Sequence, residues 1–312
     1  MATIFNNVRI NMNGKFFPGQ KVLVENGKIN MVGSSIFKNV ENVIECEQRY
    51  LVPGLIDAHT HLGLAEPGDK LSDISESELP ITPHLRPLDG IRMHSRALED
   101  ARRAGITTCM VCPGSDSPIA GICSILKTNG NSADVGLIVE QAGVLISFGE
   151  QPKARAKSFR HELSTSMGLS ALIRETLMKA QDYNIAKQNK KIVKDREIDM
   201  EALLPLIKGE VPMRVSAHRA EDILSAIRIA EEFELKIIIE HGTEAHLIAP
   251  ILAEKKIPVV IGPTLVPKLR HELNEKTFEG AKILADAGVE IALIIAFINK
   301  MDRVGADFQR VV

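Results

Sequence analysis

The chain has no tryptophan, and aromatic residues make up only 4% of its 312 positions. Acidic and basic side chains nearly cancel, 40 Asp and Glu against 38 Lys and Arg. With neither a basic excess nor aromatic stacking platforms, nothing in the composition argues for a nucleic-acid surface. No run of about 18 apolar residues occurs, which argues against a membrane span. The opening MATIFNNVRI lacks a basic segment followed by an apolar one, so no signal peptide is read and the cytoplasm is the expected compartment. Cysteine is scarce as well: Cys46, Cys109, Cys112 and Cys123 are few for a disulfide framework. Cys109 and Cys112 have a metal-like spacing, but they lie in the apolar string ITTCMVCPG, which reads as a buried strand with the thiols serving as small hydrophobes. The default reading is an enzyme, long enough to bury one large core, or one large and one small.

The first 50 residues carry short alternating runs, TIFNNVRI, KVLVENGKINMVG and NVIECEQRY, with turns at Asn13-Gly14 and Asn26-Gly27. Alternation with Asn-Gly turns predicts antiparallel hairpins. A polar, Pro-containing loop spans roughly 64–88 and is long enough to cover a site mouth. A helix is expected in DGIRMHSRALEDARRAG, with Asp89 as cap and Gly105 as stop. Apolar runs then alternate with helical segments as far as VEIALI. In AEDILSAIRIAEEF the positions Ile223, Leu224, Ile227 and Ala230 share one face, with Asp222, Arg228 and Glu231 elsewhere. The cluster Lys187, Lys190, Lys191 and Lys194 reads as a solvated helix end. Continuous apolar strands between amphipathic helices imply a parallel sheet, and this many repeats favours a β/α barrel over an open sheet.

The most informative stretch is Leu51–Gly63, LVPGLIDAHTHLG. In a strand, alternate side chains share a face, so His59 and His61 project together while Thr60 points away. Two neutral imidazoles on one face make half a metal site. Functional groups of a β/α barrel sit at the C-terminal ends of its strands. Three further runs close on a polar residue: MRVSAH on His218, LKIIIEH on His241 and LISFGE on Glu150. Together with the paired imidazoles they form a candidate ligand set converging on one mouth.

The strings PGLIDAHTH, GEQPK, SAH and IEHGTEAH resemble the metal-dependent amidohydrolase superfamily, specifically its imidazolonepropionase-like members, over about residues 2–294. The resemblance implies an α/β fold: an incomplete (β/α)8 TIM-type barrel over 51–294, with part of a small N-terminal β-sandwich domain over 1–50. It further implies a divalent metal, zinc foremost, as one or two ions held by His59, His61, Glu150, His218 and His241, with Glu140 the rival to Glu150. Lys153, His84 and His246 are then candidates for contacting substrate. The implied reaction is attack by metal-activated water on a C–N bond of a small amide, cyclic amide or imidazolone-type substrate.

The same resemblance calls for an Asp on the last barrel strand to move the proton to the leaving nitrogen. Ala296 stands there instead, and the barrel is expected to stop before its last unit. The string IAFINKMDRVGADFQRVV, about 295–312, resembles instead translational GTPases related to elongation factor G around their Asn-Lys-X-Asp motif, here Asn299, Lys300 and Asp302. Guanine-nucleotide binding through that tail would also need a Gly-rich loop ending in Gly-Lys-Ser/Thr, and no such string occurs. Two consequences are expected. The site is weakly active or inactive, so that metal binding without catalysis is the alternative function, and the unpaired sheet edges invite association with a second copy of the chain.

Overall fold

A computed structural model of the protein describes residues 2–12, 14–66, 72–76, 79–158, 165–189, 196–263, 268 and 270–294. The chain divides into two compact units, Met1–Gly54 and Leu55–Val312. In the first, β1 (Ala2–Met12), β2 (Lys15–Glu25) and β3 (Lys28–Gly33) form the expected antiparallel hairpins. At the second turn Asn26 and Gly27 both take positive φ, 50° and 74°, which the tight hairpin turn requires and which Asn and Gly tolerate best. The run NVIECEQRY departs from the hairpin expectation. It supplies β4 (Asn42–Glu45) and β5 (Tyr50–Leu51), both parallel to β1, because the connection over 34–41 crosses from the β3 edge to the far side of β1. The described residues of this unit make one five-stranded sheet over a small core of Ile4, Leu23 and Ile36; a second layer of a sandwich is not among them.

The second unit contains an eight-stranded sheet. Its strands, side by side in chain order, are β6 (Leu55–Thr60), β7 (Ile106–Val111), β8 (Ile119–Lys127), β9 (Leu137–Ser147), β10 (Met213–Ala217), β11 (Ile237–His241), β12 (Val259–Ile261) and β13 (Ile291–Leu293). The edge strands β6 and β13 come together, so the sheet curls into a nearly closed barrel. Its helices are α1 (Arg96–Arg103), α2 (Ala133–Gly136), α3 (Glu150–Ser158), α4 (Ser166–Gln188), α5 (Ile198–Ile207), α6 (Ala220–Glu232), α7 (Ala249–Glu254) and α8 (Glu279–Asp286).

The sheet is not wholly parallel, which corrects the sequence expectation. β8 runs antiparallel to both β7 and β9, whereas the other neighbouring pairs are parallel. The reason is connection length. A parallel crossover needs a dozen or more residues, and the chain between β7 and β8 is only the segment 112–118. The strand therefore turns straight back.

Alternation sorts the barrel into two apolar layers. Val144, Ile146, Met213, Val215, Ala217, Ile239 and Val259 face outward and belong to the main core with residues of α4, α5 and α6. Met110, Cys112, Cys123 and Leu145 form a smaller cluster of their own, and Cys109, Cys112 and Cys123 are free and buried as small hydrophobes. In α6 Ile223, Ile227 and Ala230 are buried as expected, but Leu224 is half-exposed and Asp222 is buried instead. Helix α1 starts later than expected: Ser95, not Asp89, is its cap, its side chain accepting from Leu98 N at 3.1 Å, and Gly105 (φ 88°) follows its end. Among the described residues no helix is long and apolar enough to cross a membrane.

Candidate functional site

At one end of the barrel a chamber of about 510 Å³ is lined by His59, His61, His218, His241 and His246, with Asp57 and Asp116 among its carboxylates. His59 arrives on β6 and His61 one residue past its end, as strand alternation predicts; Thr60 reaches the lining too, its hydroxyl accepting from Leu62 N at 3.3 Å. His218 follows β10 directly and His241 ends β11. The rings stand close together. Centroids are 5.5 Å apart for His59 and His61, 4.8 Å for His59 and His241, and 5.1 Å for the stacked pair His218 and His241.

His241 is in the chamber because its backbone breaks the alternation of β11. In register with Ser216 and Ala217 on β10, Glu240 faces the barrel interior and His241 would face the helices. A φ of 70° at His241 turns its ring back to the chamber. For a non-glycine residue that conformation costs on the order of 1 kcal/mol or more. Gly242 follows with φ 47°, and a Cβ there would lie 2.8 Å from Val259 Cγ1.

Three of these rings have one nitrogen tied to the chain. His61 Nδ1 is 2.8 Å from Cys112 O, His241 Nδ1 is 3.1 Å from Gly262 O, and His218 Nδ1 is 2.9 Å from Thr243 Oγ1. A carbonyl can only accept, so in a neutral ring these contacts place the proton on Nδ1 of His61 and His241 and leave the lone pair on Nε2. His59 differs. Its Nδ1 lies 3.2 Å from Glu240 Oε2 without the alignment of a hydrogen bond, and both of its buried ring nitrogens lack a hydrogen-bond partner.

Burial favours the neutral form of His59, His61, His218 and His241. Desolvation pushes His59 and His241 well below the usual histidine range, each ring lowered further by an imidazole beside it. Desolvation also lowers His61, against the opposing pull of the Cys112 carbonyl and Asp116. His218 falls to about 2 through desolvation, then His241, Arg270 and Lys276. Beneath the rings, Arg214 is ion-paired with Glu240, whose carboxyl burial pushes up to about 7 even as the guanidinium draws it down.

The other sequence candidates lie differently. Glu150 is outside the chamber lining, because the chain turns at Gly149 (φ 106°) and Glu150 begins α3, its Oε1 accepting from Arg219 Nη2 at 3.2 Å. Lys153 Nζ donates to Ser166 Oγ at 3.3 Å, and His84 Nδ1 pairs with Asp199 Oδ1 at 2.6 Å; neither lines the chamber. Glu140 is exposed beside Arg86, while His246 does line the chamber, from the 3-10 turn Ala245–Ile248. Ala296, Asn299, Lys300 and Asp302 lie outside the described residues.

Several groups here were not singled out from sequence. Arg214, Ser216 and His218 share a strand face, so a charged residue four places before a candidate ligand was the available signal for Arg214. Glu272 is 1% exposed, accepts from Glu150 N at 2.9 Å, pairs with Arg270 Nη1 at 2.8 Å and stands 4.0 Å from His218 Nε2. Desolvation raises its carboxyl. Its string, RHEL, follows no apolar run and gave no such signal.

Among the described residues no group of three or more His, Cys, Asp or Glu stands ready-made to hold a metal. The donor chemistry nevertheless fits a divalent cation. The rings favour the neutral form, two carry carbonyl-fixed lone pairs on Nε2, and His59 Nε2 is a buried polar atom with no partner in the chain. An unsatisfied buried group of that kind costs roughly 1–3 kcal/mol, which a ligand opposite it removes.

No family model matches the chain. Its fold superposes on the crystal structure of an amidohydrolase from Thermotoga maritima MSB8 with a TM-score of 0.88 and 38% identity, over 94% of this chain and 78% of that one. The chain belongs to the amidohydrolase family. Amidohydrolase tasK of Hapsidospora irregularis is 25% identical over 263 residues, 74% of this chain, and dihydroorotase of Ehrlichia canis is 22% identical over 75% of it. The chain spans 27% of the length of the first and 60% of the second.

Proposed function

We propose that this protein hydrolyses a C–N bond of a small amide-type substrate in the histidine chamber, with a divalent metal, zinc foremost, as one or two ions. The observation that carries the proposal is the convergence of His59, His61, His218 and His241 on one 510 Å³ chamber as neutral, oriented rings. Those four would hold the metal through ring nitrogens, Nε2 in the case of His61 and His241. When bound, the ion supplies Lewis acidity at neutral pH, the property water activation and carbonyl polarisation call for.

The remaining work falls to the chain. Asp116, half-buried on the chamber wall and held by Gln151 Nε2 at 3.1 Å, is the carboxylate placed to carry a proton between the site and solvent. Ile74, Ile261, Leu273 and Leu284 supply the apolar lining that excludes water from the reacting bond. His246 is the further ring available to a substrate.

The test is zinc loading followed by assay on acyl amino acids, Xaa-Pro dipeptides and cyclic amides including imidazolones. Turnover that disappears in His59→Asn and after chelation supports the reading. Stoichiometric zinc with no hydrolysis of any class would favour the second reading, metal binding without catalysis, for which Ala296 at the position of the expected Asp is the specific argument.

A further inference from the structure

Of the four chamber histidines that would hold a metal, His61, His218 and His241 are oriented by groups that also bind the chain together: two backbone carbonyls and the Thr243 hydroxyl. His59 has nothing comparable except Glu240. That carboxylate is fully buried, comes from β11 across the barrel, and is gripped on its other oxygen by Arg214 of β10. We propose that Arg214 and Glu240 form a positioning relay for His59: Arg214 fixes Glu240, and Glu240 accepts the Nδ1 proton of His59, turning the Nε2 lone pair toward a bound cation. The inference rests on the metal-binding reading above.

Geometry argues for the relay from both ends. The 3.2 Å separation of His59 Nδ1 and Glu240 Oε2 is already of hydrogen-bond length, so a small rotation of the ring aligns it. At the far end the barrel is shaped to admit the arginine. A Cβ on Gly143 would lie 2.6 Å from Arg214 Cγ and 2.8 Å from its Cδ, so the stem of Arg214 occupies the space that any larger residue on β9 would fill. A buried ion pair is a poor source of stability, and replacing both partners by apolar residues is often neutral or better. Its presence inside a barrel that could be filled with leucine fits a positioning role for the carboxylate.

Glu240→Gln is the informative substitution. The amide oxygen would turn to Arg214 and the NH2 to His59, so Nδ1 would have to accept, the proton would move to Nε2 and the ligand lone pair would be lost. Cobalt(II) titration of the full chain should show affinity lower by about 10–100-fold, with a changed visible spectrum. Nitrogen-15 NMR of the metal-free protein should place the His59 proton on Nδ1 in the wild type and on Nε2 in the variant. The double variant Arg214→Met/Glu240→Met separates positioning from structural support: it should melt near the wild-type temperature yet still bind cobalt more weakly. Wild-type affinity in either variant, or an Nε2 proton on His59 of the wild type, overturns the relay. Should the wild type bind no cobalt, the metal reading fails, and the proton position on His59 decides the relay alone.

Discussion

Two charged clusters lie near the ends of neighbouring strands, one dry and one wet. Arg214, Glu240 and His59 sit inside the barrel, the carboxylate with no exposed surface. Arg219 and Glu150, by contrast, pair where each side chain keeps more than a third of its surface in solvent, 37% and 36%, with His271 Nδ1 2.9 Å from the same guanidinium. The chemistry of the two pairs is alike; solvent makes them different objects. Stripped of water, a charge that loses its partner has nowhere to turn, whereas at the surface water takes the partner's place.

The largest effect that would break this comparison is Glu240→Leu. Left alone in the interior, Arg214 should lower the unfolding free energy by about 3–5 kcal/mol, read by urea denaturation, and adding Arg214→Met should recover most of it. A loss below about 1 kcal/mol would mean that water reaches the pair.

Acid gives the next largest effect, with a definite sign. The folded-state value of His218 is depressed to about 2, so the unfolded chain takes up a proton first as pH falls. No penalty exists above about 6.5; below it the metal-free protein should lose stability by about 1.4 kcal/mol per pH unit for this group, down to about 2. The raised carboxyls of Glu240, Glu272 and Asp222 act in the opposite sense, so the clean measurement is the difference between wild type and His218→Asn across pH 7 to 4.5. Parallel curves would show that the ring is wetter than its burial implies.

At the small end, Arg219→Met should change stability by less than about 1 kcal/mol and leave cobalt affinity where it was. His84→Ala removes the contact with Asp199 but touches nothing in the chamber, so metal binding should again be unchanged. A tenfold loss of cobalt affinity in either variant would extend the functional site beyond the chamber.

The paired and strand-closing histidines were legible because each terminates an apolar run, and in a barrel such ends converge. Glu150 has the same sequence signature, but a turn at Gly149 puts it on a helix start instead of the chamber lining. Glu240 could not be seen. That it and His241, adjacent in a strand, both face inward depends on a single backbone angle, and periodicity cannot anticipate a left-handed histidine. The hairpins of the first unit were readable from Asn-Gly chemistry, and the reversal of β8 was in principle readable from the brevity of 112–118. Chain length between strands, more than their composition, decides direction there.

That brevity has a consequence for how this family member could change over time. The chamber wall at Gly114, Ser115 and Asp116 is a tight connector, not a crossover loop, and Gly114 N donates to Ile74 O at 2.7 Å across to the segment 72–76. A side chain at Gly114 would collide with Ser75 Oγ and with Ile74 Cγ2, 2.8 Å away. Lengthening the connector would pull on a strand running against its neighbours, and widening it would unseat the segment above. Variation in what the chamber accepts is therefore channelled to the other lining segments, such as the half-exposed Lys276 and Thr277 side of 270–277, whose contacts do not hold a strand connector in place.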